Sequence, residues 1–188
     1  MDIDGCAGNW IDGSLPDIRA ITGVNHQYDD VVKPMIEEAL GLTPDQAAAF
    51  YSIVSTRGWC ARMPLYDGAK EGVAWLSRKV DIYAVTKQFP SDFWVREREA
   101  WLVEQLGIAP ERVVHTDAKF LVRGDIFLED REKNLEAWSK WSPEGIPVLY
   151  DQPYNRGHWR GLRAQGWRGP CGVVEMVDWW LRFRRLVD

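Results

Sequence analysis

From residue 67 onward, short apolar runs alternate with stretches of helical periodicity. Residues 80–85 form an apolar run ending at Thr86, and 113–114, 125–128 and 148–150 form three more; each reads as a strand. The helical patterns between them carry start and stop signals. One opens at Asp67-Gly68-Ala69 and runs to about residue 79, with Val73 and Leu76 facing inward. A long amphipathic helix over 93–106 follows the cap Pro90-Ser91-Asp92 and stops at Gly107. Two more are predicted over about 133–141 and 173–186. The second follows a turn at Pro153-Tyr154-Asn155 and a basic, glycine-containing segment. Strands alternating with helices mean a Rossmann-like parallel sheet with helices on both faces.

Residues 6–66 break this rhythm. They carry helix signals without a strong strand, including an entry at 29–34 continued over 35–40. Thr43-Pro44-Asp45-Gln46 is a clear helix start, with threonine as N-cap and proline at the first helical position. The segment reads as a small helical insertion after the first strand. It divides the chain into a core of residues 1–5 and 67–188 and an inserted segment, 6–66.

Composition changes the picture only by exclusion. A chain of 188 residues, 46% hydrophobic and 27% charged, suits one domain with a modest insertion. The net charge of -5 argues against a nucleic-acid-coating protein, whose footprint should be basic. There is no run of eighteen apolar residues and no basic leader, so a cytoplasmic location and a small-molecule partner are expected, with a homodimer left open. Cys6, Cys60 and Cys171 are odd in number and lack C-x-x-C spacing, as free thiols in a reducing compartment would.

The candidate chemistry begins at Asp2-Ile3-Asp4-Gly5. Two carboxylates at i and i+2 share a face of an extended run, and the glycine lets the backbone turn away. They cannot both ionise cheaply without a nearby cation, so the pair reads as a metal site or as a nucleophile beside an acid/base. Asp and Gly also crowd ordinary turns. Thr86 and Glu129-Asp130 sit at the ends of apolar runs, and Lys119 lies in the loop after 113–114. Ligands of a parallel sheet bind at the carboxyl ends of its strands, so these placements converge on one edge.

These residues resemble the haloacid dehalogenase superfamily, and more narrowly the 5'(3')-deoxyribonucleotidases. The likeness is carried by MDIDG (1–5), GWCARMPLYDGA (58–69), YAVT (83–86), KFLVRGDIFLEDR (119–131) and VLYDQPYN (148–155), in the family's order. It implies magnesium-dependent hydrolysis of nucleoside (deoxy) 5'-monophosphates through an aspartyl-phosphate. Asp2 would be the nucleophile and Asp4 the acid/base, while Thr86 would bond a phosphoryl oxygen and Lys119 balance the charge. Asp2, the Asp4 carbonyl and Asp130 would hold Mg²⁺, with strand alternation turning Glu129 away. Trp59 and Lys87 join Thr86 as substrate-binding candidates, and residues 6–66 would fold as a cap. The chain departs from the family at Glu129, where an aspartate is usual, and at Lys87, where a small hydroxyl residue is usual. A non-catalytic nucleotide-binding relative and a phosphatase for another small phosphomonoester are the alternative readings.

Other residues carry plainer expectations. Asp125 reads as a strand-start residue, Cys6 as a small packed side chain and His115 as structural. His26 and His158 show no ligand spacing, and Arg156, His158, Arg160, Arg163 and Arg168 read as a solvated basic surface. Trp10 and Tyr28 could stack on a base. Two residues cannot make the strand that delivers Asp2, so several apolar residues are expected upstream of Met1.

Overall fold

The computed structural model describes residues 1–157 and 159–187; the expectations for His158 lie outside them. The regular elements of residues 9–66 are helices, joined by irregular loops. Helix α1 (Trp10–Thr22) starts where the Asn9 side chain accepts from the Asp12 N–H at 3.0 Å, and ends at left-handed Gly23. A single turn, α2 (Ile36–Ala39), precedes α3 (Pro44–Val54). Thr43 and Gln46 cap α3 reciprocally, as the sequence predicts.

The alternating part follows as α4 (Ala69–Leu76), β1 (Ala84–Thr86), α5 (Trp94–Trp101), β2 (Val113–His115), β3 (Ile126–Glu129), α6 (Glu132–Trp141), β4 (Ile146–Tyr150), β5 (Leu162–Ala164) and α7 (Val173–Val187). A π-helical turn, Leu102–Leu106, extends α5 to left-handed Gly107. The helix expected to reach 79 stops at Leu76, and the strand expected from 80 is regular only from Ala84. Strand β5 lies within the basic segment, which carries no apolar run to announce it.

All strand pairs are parallel: β1 with β2, β3 with β4, and β4 with β5. Met1 and Asp2 join the two sets. The Met1 amino group donates to Tyr83 O at 2.6 Å, and Val85 N–H donates to Met1 O at 2.8 Å. On the other side Asp2 N–H donates to Leu128 O at 2.8 Å. The order across the molecule is therefore β2, β1, Met1–Asp2, β3, β4, β5. Beyond Met1, away from Asp2, β1 and β3 flank a cleft of about 480 Å³ whose lining includes Tyr83, Phe127 and Trp180.

Period-two alternation sends Val85, Phe127 and Leu149 to one face, where they pack with Leu135 and Trp138 of α6. Ala84, Leu128, Val148 and Tyr150 point to the other face and join a core with α4, α7, α5 and the helices of residues 9–66. Both faces are covered, as a parallel sheet requires. Among the described residues, no helix is long and apolar enough to cross a membrane.

Candidate active site

The carboxyl ends of β1 and β3 flank Asp2, and the site is built there. Asp2 is buried; its Oδ1 accepts from the Ile3 N–H at 2.7 Å, and its Oδ2 pairs with Lys119 Nζ. The short helical turn Lys119–Leu121 after β2 carries Lys119, whose ammonium also reaches Glu129 Oε2 at 3.1 Å. Burial alone would lower the Lys119 pKa, but the Asp2, Glu129 and Asp130 charges outweigh it and hold the pKa above the usual lysine value.

Asp2, Glu129 and Asp130 each offer an oxygen within 4.8 Å of the others. Burial first, and the Asp2 charge second, push both the Glu129 and Asp130 carboxyls above the usual range. Glu129 is fully buried and accepts from the Arg131 N–H at 3.2 Å through its second oxygen. Strand alternation was expected to turn it from the site, and it does not. Strand β3 ends at Glu129, so Asp130 already lies outside the pleat and both side chains reach one cluster.

Tyr154 donates to Asp130 Oδ2, and Asn155 Nδ2 donates to its backbone carbonyl at 2.8 Å. Gln152, fully buried, donates to Gly5 O at 2.7 Å and accepts from Tyr28 at 2.6 Å. The turn after β4 thereby braces the Asp2–Gly5 loop and ties it to the helical segment.

Asp4 leaves the loop toward α5, where Arg98 NH2 donates to its Oδ1 at 2.6 Å. Burial raises its carboxyl pKa, and the Arg98 charge opposes that rise. Gly5 has φ +80°, and a Cβ there would stand 2.6 Å from Asp130 Oδ2 and 2.9 Å from the Tyr154 oxygen. Gly5→Ala is therefore expected to cost roughly 2 kcal/mol or more of stability and to displace Asp130. Denaturant melts beside phosphate-release assays check it.

Thr86 is fully buried at the end of β1, one residue beyond the Val85–Met1 bond. The structure thus brings together Asp2, Lys119, Glu129 and Asp130, with Asp4 and Thr86 on the adjoining loop and strand end. Lys87 is placed differently: its side chain is 67% exposed and pairs with Asp117 at 3.1 Å. Trp59 lies in a buried aromatic cluster, 4.9 Å from Trp10 and stacked at 5.9 Å on Trp94, with its indole N–H on Asp17 at 2.8 Å.

The plainer expectations for Cys6, Asp125 and His115 hold. Burial pushes the Cys6 thiol well up, Asp125 pairs with Arg184 outside the site, and His115 bonds Glu99 at 3.3 Å. The solvated basic surface holds for exposed Arg156 but not for Arg163, which is partly buried on β5 and donates to Asp151 at 2.7 Å and to Asn155 at 2.8 Å. Sequence reasoning missed Arg98, Gln152 and Tyr154. The last two fall within VLYDQPYN; Arg98 had only its spacing between Trp94 and Trp101 to mark it as inward.

A family model described as "5' nucleotidase, deoxy (Pyrimidine), cytosolic type C protein" matches residues 1–179. The 5'(3')-deoxyribonucleotidases of Bacillus subtilis (strain 168) and of Bacillus phage SPbeta are each 28% identical to the chain over 102 residues. That match covers 54% of this chain and 56% of each relative, so it spans about half the length of those proteins. A crystal structure of a haloacid dehalogenase-like hydrolase from Burkholderia xenovorans aligns with a TM-score of 0.58 at 19% identity, covering 96% of this chain and 95% of that one. This likeness shows the fold.

Proposed function

Since the chain belongs to the cytosolic type C 5' nucleotidase family, we propose that it hydrolyses nucleoside (deoxy) 5'-monophosphates through an aspartyl-phosphate, in the cytoplasm. The observation that carries this reading is the meeting of Asp2, Lys119, Glu129 and Asp130 in one buried cluster at the sheet edge.

In the proposed reaction, an Asp2 oxygen forms a bond to phosphorus as the ester P–O bond breaks. The electron pair goes to the leaving oxygen, which takes its proton from Asp4. The Asp4 carboxylate then takes a proton from water, whose oxygen attacks phosphorus and releases Asp2 and phosphate. Lys119 lies on Asp2 and lowers the cost of crowding negative oxygens together. Thr86 offers a hydroxyl to a phosphoryl oxygen, while Lys87, exposed and paired with Asp117, is left without a part in the reaction.

The donor set fits Mg²⁺. Three buried carboxylates face one ammonium, which leaves negative charge for a hard cation to balance. Asp2, the Asp4 carbonyl and Asp130 would hold it, with Glu129 beside them on Lys119 and the Arg131 N–H. When bound, Mg²⁺ supplies positive charge that shields the nucleophile and phosphate from each other.

Residues 6–66 are assigned the role of a cap that supplies an aromatic wall for the base, Trp59 backing Trp10 within it. The test is phosphate release from a panel of nucleoside monophosphates and sugar phosphates, with Mg²⁺ or with EDTA. Mg²⁺-dependent release from nucleotides is expected, with Ca²⁺ inhibiting through its looser coordination. Nucleotide binding without release would overturn the reading in favour of a non-catalytic relative. Faster release from sugar phosphates would assign the site to another small phosphomonoester.

A further inference from the structure

The geometry points to Arg98 as the positioning residue for Asp4, the group that fixes which carboxyl oxygen faces the substrate; this rests on the phosphatase reading above. Arg98 lies on the inward stripe of α5 between Trp94 and Trp101 and is fully buried. Its NH2 makes the one side-chain hydrogen bond of Asp4 among the described residues, at 2.6 Å. The guanidinium is clamped around that contact. Its carbon sits 5.0 Å from the Trp94 ring and 5.5 Å from the Trp101 ring, and NH1 lies 3.8 Å from the Met63 sulfur. Met63 is itself held, since Trp101 donates to its carbonyl at 2.9 Å.

A purely structural arginine at this depth should engage its donors fully, because an unpaired buried guanidinium N–H is costly. Here one nitrogen meets a carboxylate, another meets a weak sulfur acceptor, and among the described residues Nε has no hydrogen-bond partner. Packing alone would be served by an apolar side chain of similar volume. What a planar, permanently charged donor adds is direction. With Oδ1 held, Oδ2 is the oxygen left to meet the ester oxygen and the hydrolytic water. The Asp4 side chain is 29% exposed while its partner is wholly enclosed, so the pair has one open end and one fixed end. Arg98 reaches the chemistry only through Asp4.

Leaving-group dependence separates positioning from mere packing. A nucleoside leaves as an alkoxide that needs a proton, whereas p-nitrophenolate departs without one. Arg98→Met is expected to lower kcat/KM on a nucleoside 5'-monophosphate by about 100-fold, since misplacing a catalytic group by ~1 Å costs roughly that much. The loss on p-nitrophenyl phosphate should stay below about tenfold, because proton donation, which contributes ~10²–10⁴-fold, is not needed there. Arg98→Lys should recover part of the nucleotide rate, and it serves as the readout should Arg98→Met fail to fold in a thermal melt. Turnover by the wild type and its loss in Asp2→Asn establish the reaction independently of Arg98. Against that background, equal losses on both substrates, or a nucleotide rate unchanged in both Arg98 variants, overturn the positioning role and leave the reaction standing.

Discussion

Phosphate release by Asp2→Asn is expected to fall by about a thousandfold or more while the chain stays folded. Asparagine keeps the shape and can still accept the Ile3 N–H, now bonded to Asp2 Oδ1 at 2.7 Å. What it loses is the anionic oxygen that would attack phosphorus. The Asp2 charge is also one of the causes that raise the Glu129 and Asp130 carboxyls. Removing it relieves repulsion among three buried acids while leaving Lys119 paired with Glu129. The melting temperature in EDTA should therefore hold or rise as activity disappears. Residual release above a tenth of the wild-type rate would show that Asp2 is not the nucleophile.

Lys119→Met should damage both chemistry and stability. The ammonium is buried between Asp2 and Glu129, and methionine would fill its volume without its charge. Breaking a buried pair by removing one partner costs about 3–5 kcal/mol, because the other charge stays buried and uncompensated. Turnover should fall on the order of a hundredfold or more from the lost cation beside the reacting oxygens. The pH dependence has a definite sign in metal-free solution. The Glu129 and Asp130 pKa values are raised by folding, so these groups favour the fold below their unfolded values and disfavour it as pH rises through their folded ones. Without Lys119 they should rise further. The variant should then be least stable at neutral and alkaline pH and regain stability on acidification. Denaturant melts in EDTA from pH 5 to 8 measure this; a loss independent of pH would mean that packing, not charge, is what Lys119 supplies.

Local physics made much of the molecule legible in its sequence. Thr43 and Pro44 set the start of α3 because a cap and a first-turn proline act within four residues. Gly107 ended the helix it was expected to end, since only its left-handed conformation is needed there. Thr86 and Glu129-Asp130 could be placed on one edge because an apolar run ends where its strand ends, and parallel strands share that edge. Tertiary structure decided what depends on residues distant in the chain. Met1 and Asp2 take their place between β1 and β3 through bonds to Tyr83, Val85 and Leu128. Strand β5 follows from its pairing with β4, not from any pattern in Leu162-Arg163-Ala164. Glu129 joins Asp130 in the cluster because the pleat stops between them. Arg98 reads in sequence as one more charge on an amphipathic helix. It is turned inward by the tryptophans on either side of it, and what it meets there is a carboxylate 94 residues away.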